Sequence, residues 1–243
     1  MEIRANFDEA VLVHSDELDW VESPMAGVDR RPLDRVGAEV ARATSIVRYA
    51  AGSHFSAHVH TGGEEFIVLS GVFQDEHGDF PAGSYIRNPP QSKHTPGSDE
   101  GCVIFVKLWQ FQLDDRTHVR KKISELTYRP APYLVNQEAE LGAIDATNLV
   151  SEALLHADEF ENVKLLQVKP NTPIRVDDPG GIELLVLDGE LLALEQTMRK
   201  HSWLRLPTGM VLNAVASNKG ASIWMKTGNL SDVNKQIERV KKA

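Results

Sequence analysis

The sequence predicts an all-β chain built as two tandem barrels and finished by a short C-terminal helix. Short β-branched and aromatic runs recur at near-regular spacing with Gly, Pro or Asp turns between them, the pattern of a β-sandwich or barrel. The chain also repeats itself: GGEEFIVLSG, beginning at Gly62, is matched 118 positions later by GGIELLVLDG, beginning at Gly180. The last stretch, Ser231 to Lys242, sets Val233, Ile237 and Val240 at helical spacing behind a Ser N-cap and ends in lysines, which signals a helix.

Taken in order, AVLVHSDELDW within residues 1–20 is an apolar run breaking into acids, read as a first strand and turn. Residues 21–43 are rich in Pro, Gly and Arg without a clean period, and a lip hairpin or irregular covering segment is expected there. Strands are then expected at Ser45–Ala50, Ser56–His60, Glu65–Leu69, Val72–Glu76, Ser84–Asn88 and Cys102–Phe111. The two prolines of Tyr128–Gln137 favour an extended linker. It divides the chain into a metal-binding domain, 1–127, and a degenerate copy without the ligands, 128–243.

The repeat supports that division. Ser84 to Pro89 lies over Ser202 to Pro207 at the same offset, and after one inserted residue GCVIFVK at Gly101 lies over GASIWMK at Gly220. HSDELDW at His14 resembles HADEFEN at His156 at an offset of 142, which leaves about 24 extra residues in the first half, roughly the irregular segment.

Composition narrows the function. At 243 residues the chain can bury a sizeable core, and 42% hydrophobic with 25% charged residues is ordinary for a globular protein. A net charge of −9 with no basic block argues against nucleic acid as a partner. No apolar run reaches the length of a membrane span, and the N-terminus lacks a basic leader with an apolar core, so no membrane association and a cytoplasmic location are expected. The single Cys102 excludes an internal disulfide and a multi-cysteine zinc site; it opens the apolar run Val103 to Val106 and reads as a packed small residue.

The chemistry concentrates in GSHFSAHVHTGGEEFIVLSG, Gly52 to Gly71. His58 and His60 are two apart, so in a strand both imidazoles share a face. A Gly-Gly turn then returns Glu64 beside them, and a later strand ending at His94 would face the pair across the interior. Three imidazoles and a carboxylate suit one divalent ion: zinc, iron, nickel or copper. The repeat is an internal control. At 118 residues' offset His58 falls on Val176, His60 on Asp178, Glu64 on Ile182 and His94 on Leu212 or Asn213, so the fold signature persists where every ligand is lost.

Glu65 is expected to face away from Glu64, exposed or bonding a turn, while Phe66 and Val68 share the parity of Glu64 and would line an apolar cavity. Tyr85, Arg87, Lys107 and Trp109 are within patterned strands and are assigned first to packing, with contact to a substrate anion or peroxide as the minor alternative. His14 and His156 occupy matching repeat positions and read as structural; His54, His77, His118 and His201 read as surface or packing residues.

These spacings resemble the cupin superfamily. Its first motif fits Gly52, His58, His60, Glu64 and Gly71 at every position. The second fits at Gly83, Pro89 and His94, while the usual glycine before the histidine is missing from PPQSKH and Ser98 stands where asparagine is common. More narrowly, the 50 or so residues from His58 are similar to the cupin domain of ChrR-type anti-sigma factors. The resemblance implies a bicupin whose N-terminal half holds one divalent metal on His58, His60, Glu64 and His94, zinc or Fe(II), with manganese or nickel also compatible. It implies a homodimer, as is usual in the superfamily. A sigma-factor partner is not expected, since those regulators grip the sigma factor with a helical zinc domain and this chain opens on cupin-like sequence. The function expected is a small-molecule metalloenzyme, a dioxygenase-type cleavage or isomerisation of a small carbonyl compound. The alternative is a zinc-binding sensory cupin. Related diketone-cleaving dioxygenases hold iron on three histidines, so Glu64 departs from their pattern.

Overall fold

The computed structural model describes residues 1–133 and 148–243. Its architecture is the expected one, all-β in two units with a single short α-helix, Val233–Lys242, among the described residues. One unit comprises Met1–Ala5, Leu18–Glu125 and Asp232–Ala243; the other comprises Asn6–Glu17 and Leu126–Ser231. Neither unit is one continuous segment: Asn6–Glu17 belongs with Leu126–Ser231, and Asp232–Ala243 with Leu18–Glu125. The linker stretch Tyr128–Gln137 contains a short strand, Arg129–Pro130, and from residue 134 onward lies outside the described residues.

Both units use one strand order. In the first, Glu2–Ile3, Val28–Gly37, Ala41–Tyr49, Cys102–Leu108, Glu64–Asp75, Ser84–Asn88 and Val119–Lys122 are successive neighbours. In the second the order is Arg129–Pro130, Val150–Ala157, Asn162–Val168, Leu212–Thr227, Ile182–Ala193, Ser202–Leu206 and Val11–His14. The long edge of the second sheet is therefore closed by a strand from near the N-terminus, His14 opposite Ser202. His14 Nδ1 meets the Ser202 hydroxyl at 2.9 Å. Its topological counterpart is Val119–Lys122, which pairs with Ser84–Asn88. The resemblance of HSDELDW to HADEFEN is thus no structural equivalence, because Val150–Ala157, which holds His156, corresponds to Val28–Gly37.

Residues 21–43 also differ from expectation. Of the two forms expected they take the hairpin and not the irregular one, and at greater length: Val21–Glu22 pairs with a ten-residue strand, Val28–Gly37, which is itself paired along its length with Ala41–Tyr49. Its arginines and Pro32 hide the alternation, and a bulge between Pro32 and Asp34 breaks it. Likewise Glu65–Leu69 and Val72–Glu76 form one strand, Glu64–Asp75. Ser70-Gly71 is a bend inside it: Gly71 has φ +70, and a Cβ there would lie 2.0 Å from the Gly101 carbonyl oxygen.

Burial on both sheet faces overturns the expectation for Glu65. It is only 2% exposed and accepts a 2.6 Å hydrogen bond from the Tyr85 hydroxyl. It stands in register with Arg87 on one side and Lys107 on the other, both buried. The second unit repeats this row with Arg205, Glu183 and Lys226, again buried and in register. Arg87 also lies over the Phe111 ring and Arg205 over Phe7, each at 4.1 Å. A row of opposite charges that recurs in both halves, only one of which has the histidines, holds strands together; Tyr85, Arg87 and Lys107 are framework. On the other face Phe66 and Val68 join Val47, Ile104 and Val106 in an apolar core.

The C-terminal helix packs against Val28–Gly37 and Ala41–Tyr49. Its N-cap is Asp232 rather than Ser231, held by Gln112 at 2.6 Å and Lys235 at 2.7 Å. The helix buries Val233, Gln236 and Val240, and Gln236 accepts a 2.9 Å bond from the buried Arg42.

Candidate metal centre

The structure brings His58, His60, Glu64 and His94 together. His58–Val59 and Lys93–His94 pair antiparallel with His94 directly opposite His58. His60 shares the face of His58 and is held by its own backbone, its N–H bonding the Ser92 carbonyl at 2.9 Å and its carbonyl accepting from Gln91 at 2.8 Å. Ring centroids lie 4.9 Å (His58–His60), 4.9 Å (His58–His94) and 4.6 Å (His60–His94) apart, steeply inclined rather than stacked. One nitrogen from each ring lies within 4.8 Å of the others. Glu64 Oε2 is 3.5 Å from His60 Nε2 and 3.7 Å from His94 Nε2. His60, Glu64 and His94 are buried and His58 is exposed, so the group is fixed from below and open on one side.

The Gly-Gly turn is required by what packs on it. A Cβ on Gly62 would lie 2.1 Å from the Trp109 ring; one on Gly63, where φ is +79, would lie 2.5 Å from the Phe111 ring. Trp109 in turn donates its backbone N–H to the Gly63 carbonyl at 3.1 Å. Two residues unnoticed in the sequence hold the donors. Asp75 Oδ2 is 3.3 Å from His94 Nδ1, which leaves Nε2 of that ring facing the group. Asp75 Oδ1 accepts the His77 N–H at 2.7 Å, so the carboxylate is fixed before it meets the imidazole. Asn88 Nδ2 donates to Glu64 Oε2 at 3.4 Å. The hint in the sequence is an acid, Asp75, closing the strand just after the apolar Val72 and Phe73.

Electrostatics make the rings unequal. Burial lowers the pKa of His60, the His94 and His58 rings lower it further, and Glu64 opposes them. For His94 burial also pulls downward, but the Asp75 hydrogen bond and the charges of Glu64, Asp75 and Glu76 prevail and raise it. His60 Nε2 is buried with no hydrogen-bond partner, an arrangement that costs free energy unless something fills the space between the donors. Three converging imidazoles, a neighbouring carboxylate and an orphaned buried nitrogen fit a divalent cation.

Beside this group is a cavity of about 280 Å³. Val47, Ile104 and Val106 make its apolar wall, and Tyr49, Trp109, Arg30 and Arg35 also line it. Burial, then the Glu64 charge, raise the Tyr49 pKa, so its phenol remains a neutral donor. Of the strand residues considered for substrate contact, Trp109 alone reaches this cavity. Cys102 is buried and its thiol is pushed up to about 11 by burial, which keeps it protonated and inert.

The second unit shows the same geometry without the donors. Val176 pairs with Leu212 as His58 pairs with His94, so Leu212 rather than Asn213 is the counterpart of His94. Val176, Ile182 and Leu212 are all at most 3% exposed within the core. A second cluster, His156, Asp158 and Glu161, also has ligand atoms within 4.8 Å of one another. Its charges are answered internally: Lys226 Nζ bonds Glu161 at 2.9 Å, and Asp158 meets His156 at 3.1 Å and the Phe160 and Glu161 N–H groups at 2.8 and 2.9 Å. It is a charged core for that loop. His54 meets Asp99 at the exposed surface at 3.0 Å.

Residues 8–112 match the family described as the ChrR cupin-like domain. No curated protein matches the sequence. Among solved structures, a candidate dioxygenase from Nostoc punctiforme is similar at 15% identity and a TM-score of 0.70, over 92% of this chain and 84% of that one. The pirin YhhW from Escherichia coli, in complex with nickel(II), is similar at 12% identity and TM-score 0.59, over 90% and 98%. HEPD from Streptomyces albus, with 2-hydroxyethylphosphonate and Fe(II) bound, is similar at 8% and 0.61, over 98% and 80%. At these identities the likeness shows the fold, which is that of the cupins. No helix among the described residues is long and apolar enough to cross a membrane.

Proposed function

We propose that this protein is a bicupin whose first unit holds one divalent metal ion on His58, His60, His94 and Glu64 and acts on a small molecule in the adjoining cavity. The observation that carries the reading is the buried Nε2 of His60, which has no hydrogen bond, set with two further imidazoles whose nitrogens lie within 4.8 Å of one another, the Glu64 carboxylate 3.5 Å away, beside a cavity of about 280 Å³. Nickel(II) and Fe(II) in two structurally similar proteins support it. The second unit has Val176, Ile182 and Leu212 in place of His58, Glu64 and His94, and Asp178, at the position of His60, accepts the Gly180 N–H at 2.9 Å, so this role is not assigned to it.

The reaction class we favour is dioxygenase-type cleavage or isomerisation of a small carbonyl compound. A divalent ion held there would supply Lewis acidity and, if redox-active, one-electron chemistry with oxygen. The chain's own residues do the rest. Asp75 sets the tautomer and orientation of His94, and Asn88 orients Glu64. Val47, Ile104 and Val106 give the cavity beside the centre an apolar wall, and Tyr49 offers a neutral hydroxyl to a substrate oxygen.

The match to the ChrR cupin-like domain favours a second reading, a zinc-binding sensory cupin, in which four protein donors would saturate a tetrahedral zinc. Metal analysis of protein purified without chelating resin separates the two, followed by oxygen-consumption assays of the Fe(II)-loaded form on β-dicarbonyl compounds. Substrate-dependent oxygen uptake supports the enzyme; stoichiometric zinc that resists exchange, with no uptake, rejects it. We further propose a homodimer without a nucleic-acid partner, which light scattering with and without added DNA tests, located in the cytoplasm, which cell fractionation tests.

A further inference from the structure

The strand that the sequence concealed, Val28–Gly37, contributes two guanidinium groups to the cavity wall. Val28 and Arg30 stand opposite Tyr49 and Val47, residues that line the cavity. In an unbroken strand residue 35 would face the other way, since its parity is opposite to that of residue 30. The bulge between Pro32 and Asp34 adds one residue and reverses the parity, so that Arg35 stands opposite Ala43 on the same face as Arg30. Small residues at Ala41 and Ala43 leave room above the sheet for the two long side chains.

These cations are poorly compensated. Arg35 gives one bond, to the Ala38 carbonyl, and Arg30 makes no hydrogen bond or ion pair among the described residues. Burial and then the Arg30 charge depress the Arg35 pKa, with no carboxylate opposing them. Glu39 lies on the same rim but is exposed, and Glu64 belongs to the histidine group. Arg30, Tyr49 and Glu64 line the same cavity, and Tyr49 feels the charges of both Glu64 and Arg30. Arg30 and Arg35 stand opposite Val47 and Ala43, four positions apart along the partner strand, and two half-buried like charges on one cavity wall are unfavourable in the empty protein and become favourable when an anion joins them.

We propose that Arg30 and Arg35 form a carboxylate-binding wall, so that the substrate is a small organic carboxylate anchored there while its other end reaches His58, His60, His94 and Glu64. The proposal rests on the reading of that cluster as the reacting end, but the anion site itself is made by different residues. At about 280 Å³, against about 30 Å³ for one water, the cavity takes a molecule of up to roughly ten non-hydrogen atoms. The planar, two-pronged donor geometry of arginine matches a carboxylate.

The test uses acetoacetate and its neutral isostere acetoacetamide, titrated calorimetrically into the full-length protein, metal-loaded and chelator-stripped. The expected result is tighter binding of acetoacetate by about 10- to 100-fold, the equivalent of one or two charge-assisted hydrogen bonds. Arg30→Gln should bring the two probes close to parity without changing metal content, and Arg35→Gln carries the test should the first variant fail to fold. Preference for the anion in stripped protein distinguishes this site from the metal: if the cluster binds no metal, the anion preference persists and only the reading of the reacting end is lost. Equal affinity for the two probes, an undiminished preference in the Arg30→Gln, Arg35→Gln double variant, or no binding of acetoacetate at millimolar concentration overturns the proposal.

Discussion

Asp75 gives the sharpest test of the metal reading, because it touches a proposed ligand without being one. Its carboxylate is buried, 3.3 Å from His94 Nδ1 on one oxygen and 2.7 Å from the His77 N–H on the other. Replacing it with Ala releases the His94 ring and removes the acceptor that fixes its tautomer. Loss of an outer partner of a metal-bound histidine costs roughly 10- to 100-fold in metal affinity. The long 3.3 Å contact places Asp75→Ala toward the lower end of that range. Asp75→Asn keeps an acceptor oxygen in the same place but lacks the charge, so its loss should be smaller, within about tenfold. Competition with a chromophoric chelator gives the affinities, and thermal melts of the metal-free proteins give the structural cost. Stability alone should move by about 1–3 kcal/mol in the Ala variant, the cost of one buried bond. Identical affinities for wild type and Asp75→Ala, or equal losses in the Asn and Ala variants, would refute the reasoning that Asp75 acts through the orientation of His94.

Three other outcomes follow from the same geometry. His58→Ala and His94→Ala should each abolish metal binding while His156→Ala retains it, as read by elemental analysis; retention in the first two would make the donor assignment wrong. Lys226→Met should destabilise the second unit by about 3–5 kcal/mol, because it leaves the buried Glu161 carboxylate, 2.9 Å away, without its cation; urea melts check this, and a loss under 1 kcal/mol would show that the charge pair is dispensable. In Asp158, burial opposes ionisation, but the His156 bond and two backbone N–H groups prevail and hold the carboxyl well below its usual range. A carboxylate lowered by folding contributes stability in full above its unfolded pKa and loses it as pH falls toward the folded value. Asp158→Asn should therefore lose less stability than wild type between about pH 5 and pH 2, and parallel losses would contradict the assignment.

Much of the site was legible in sequence because its spacing is short. His58 and His60 lie two apart on a strand, and period-two alternation fixes their common face whatever the rest of the chain does. His94 follows the strand from Ser84 and its proline-rich turn, which already points it at the pair, whereas only the register of Val176 with Leu212, copying that of His58 with His94, decides its counterpart in the second copy. The burial of Glu65 is hidden in the sequence for a complementary reason. Alternation put it opposite Glu64 correctly, but whether that second face meets water depends on Arg87, Lys107 and Tyr85, residues 20 or more positions away. His14 was matched to His156 by local similarity, whereas strand pairing joins it to Ser202.

The sequence by itself determined the all-β class, the duplication, and the presence of one donor set in only the first copy, because these depend on local periodicity and on self-comparison. Tertiary structure decided what surrounds the donors. Asp75 reaches His94 only after the strand Glu64–Asp75 runs unbroken past Gly71. Arg30 and Arg35 share the cavity face only because a bulge at Leu33 reverses the alternation between them. The unpartnered nitrogen of His60 is visible only once burial is known. Bulges, non-local pairing and burial are properties of the folded whole, and in this protein they distinguish a histidine pair from a site with a wall, an orienting acid and a place for an anion.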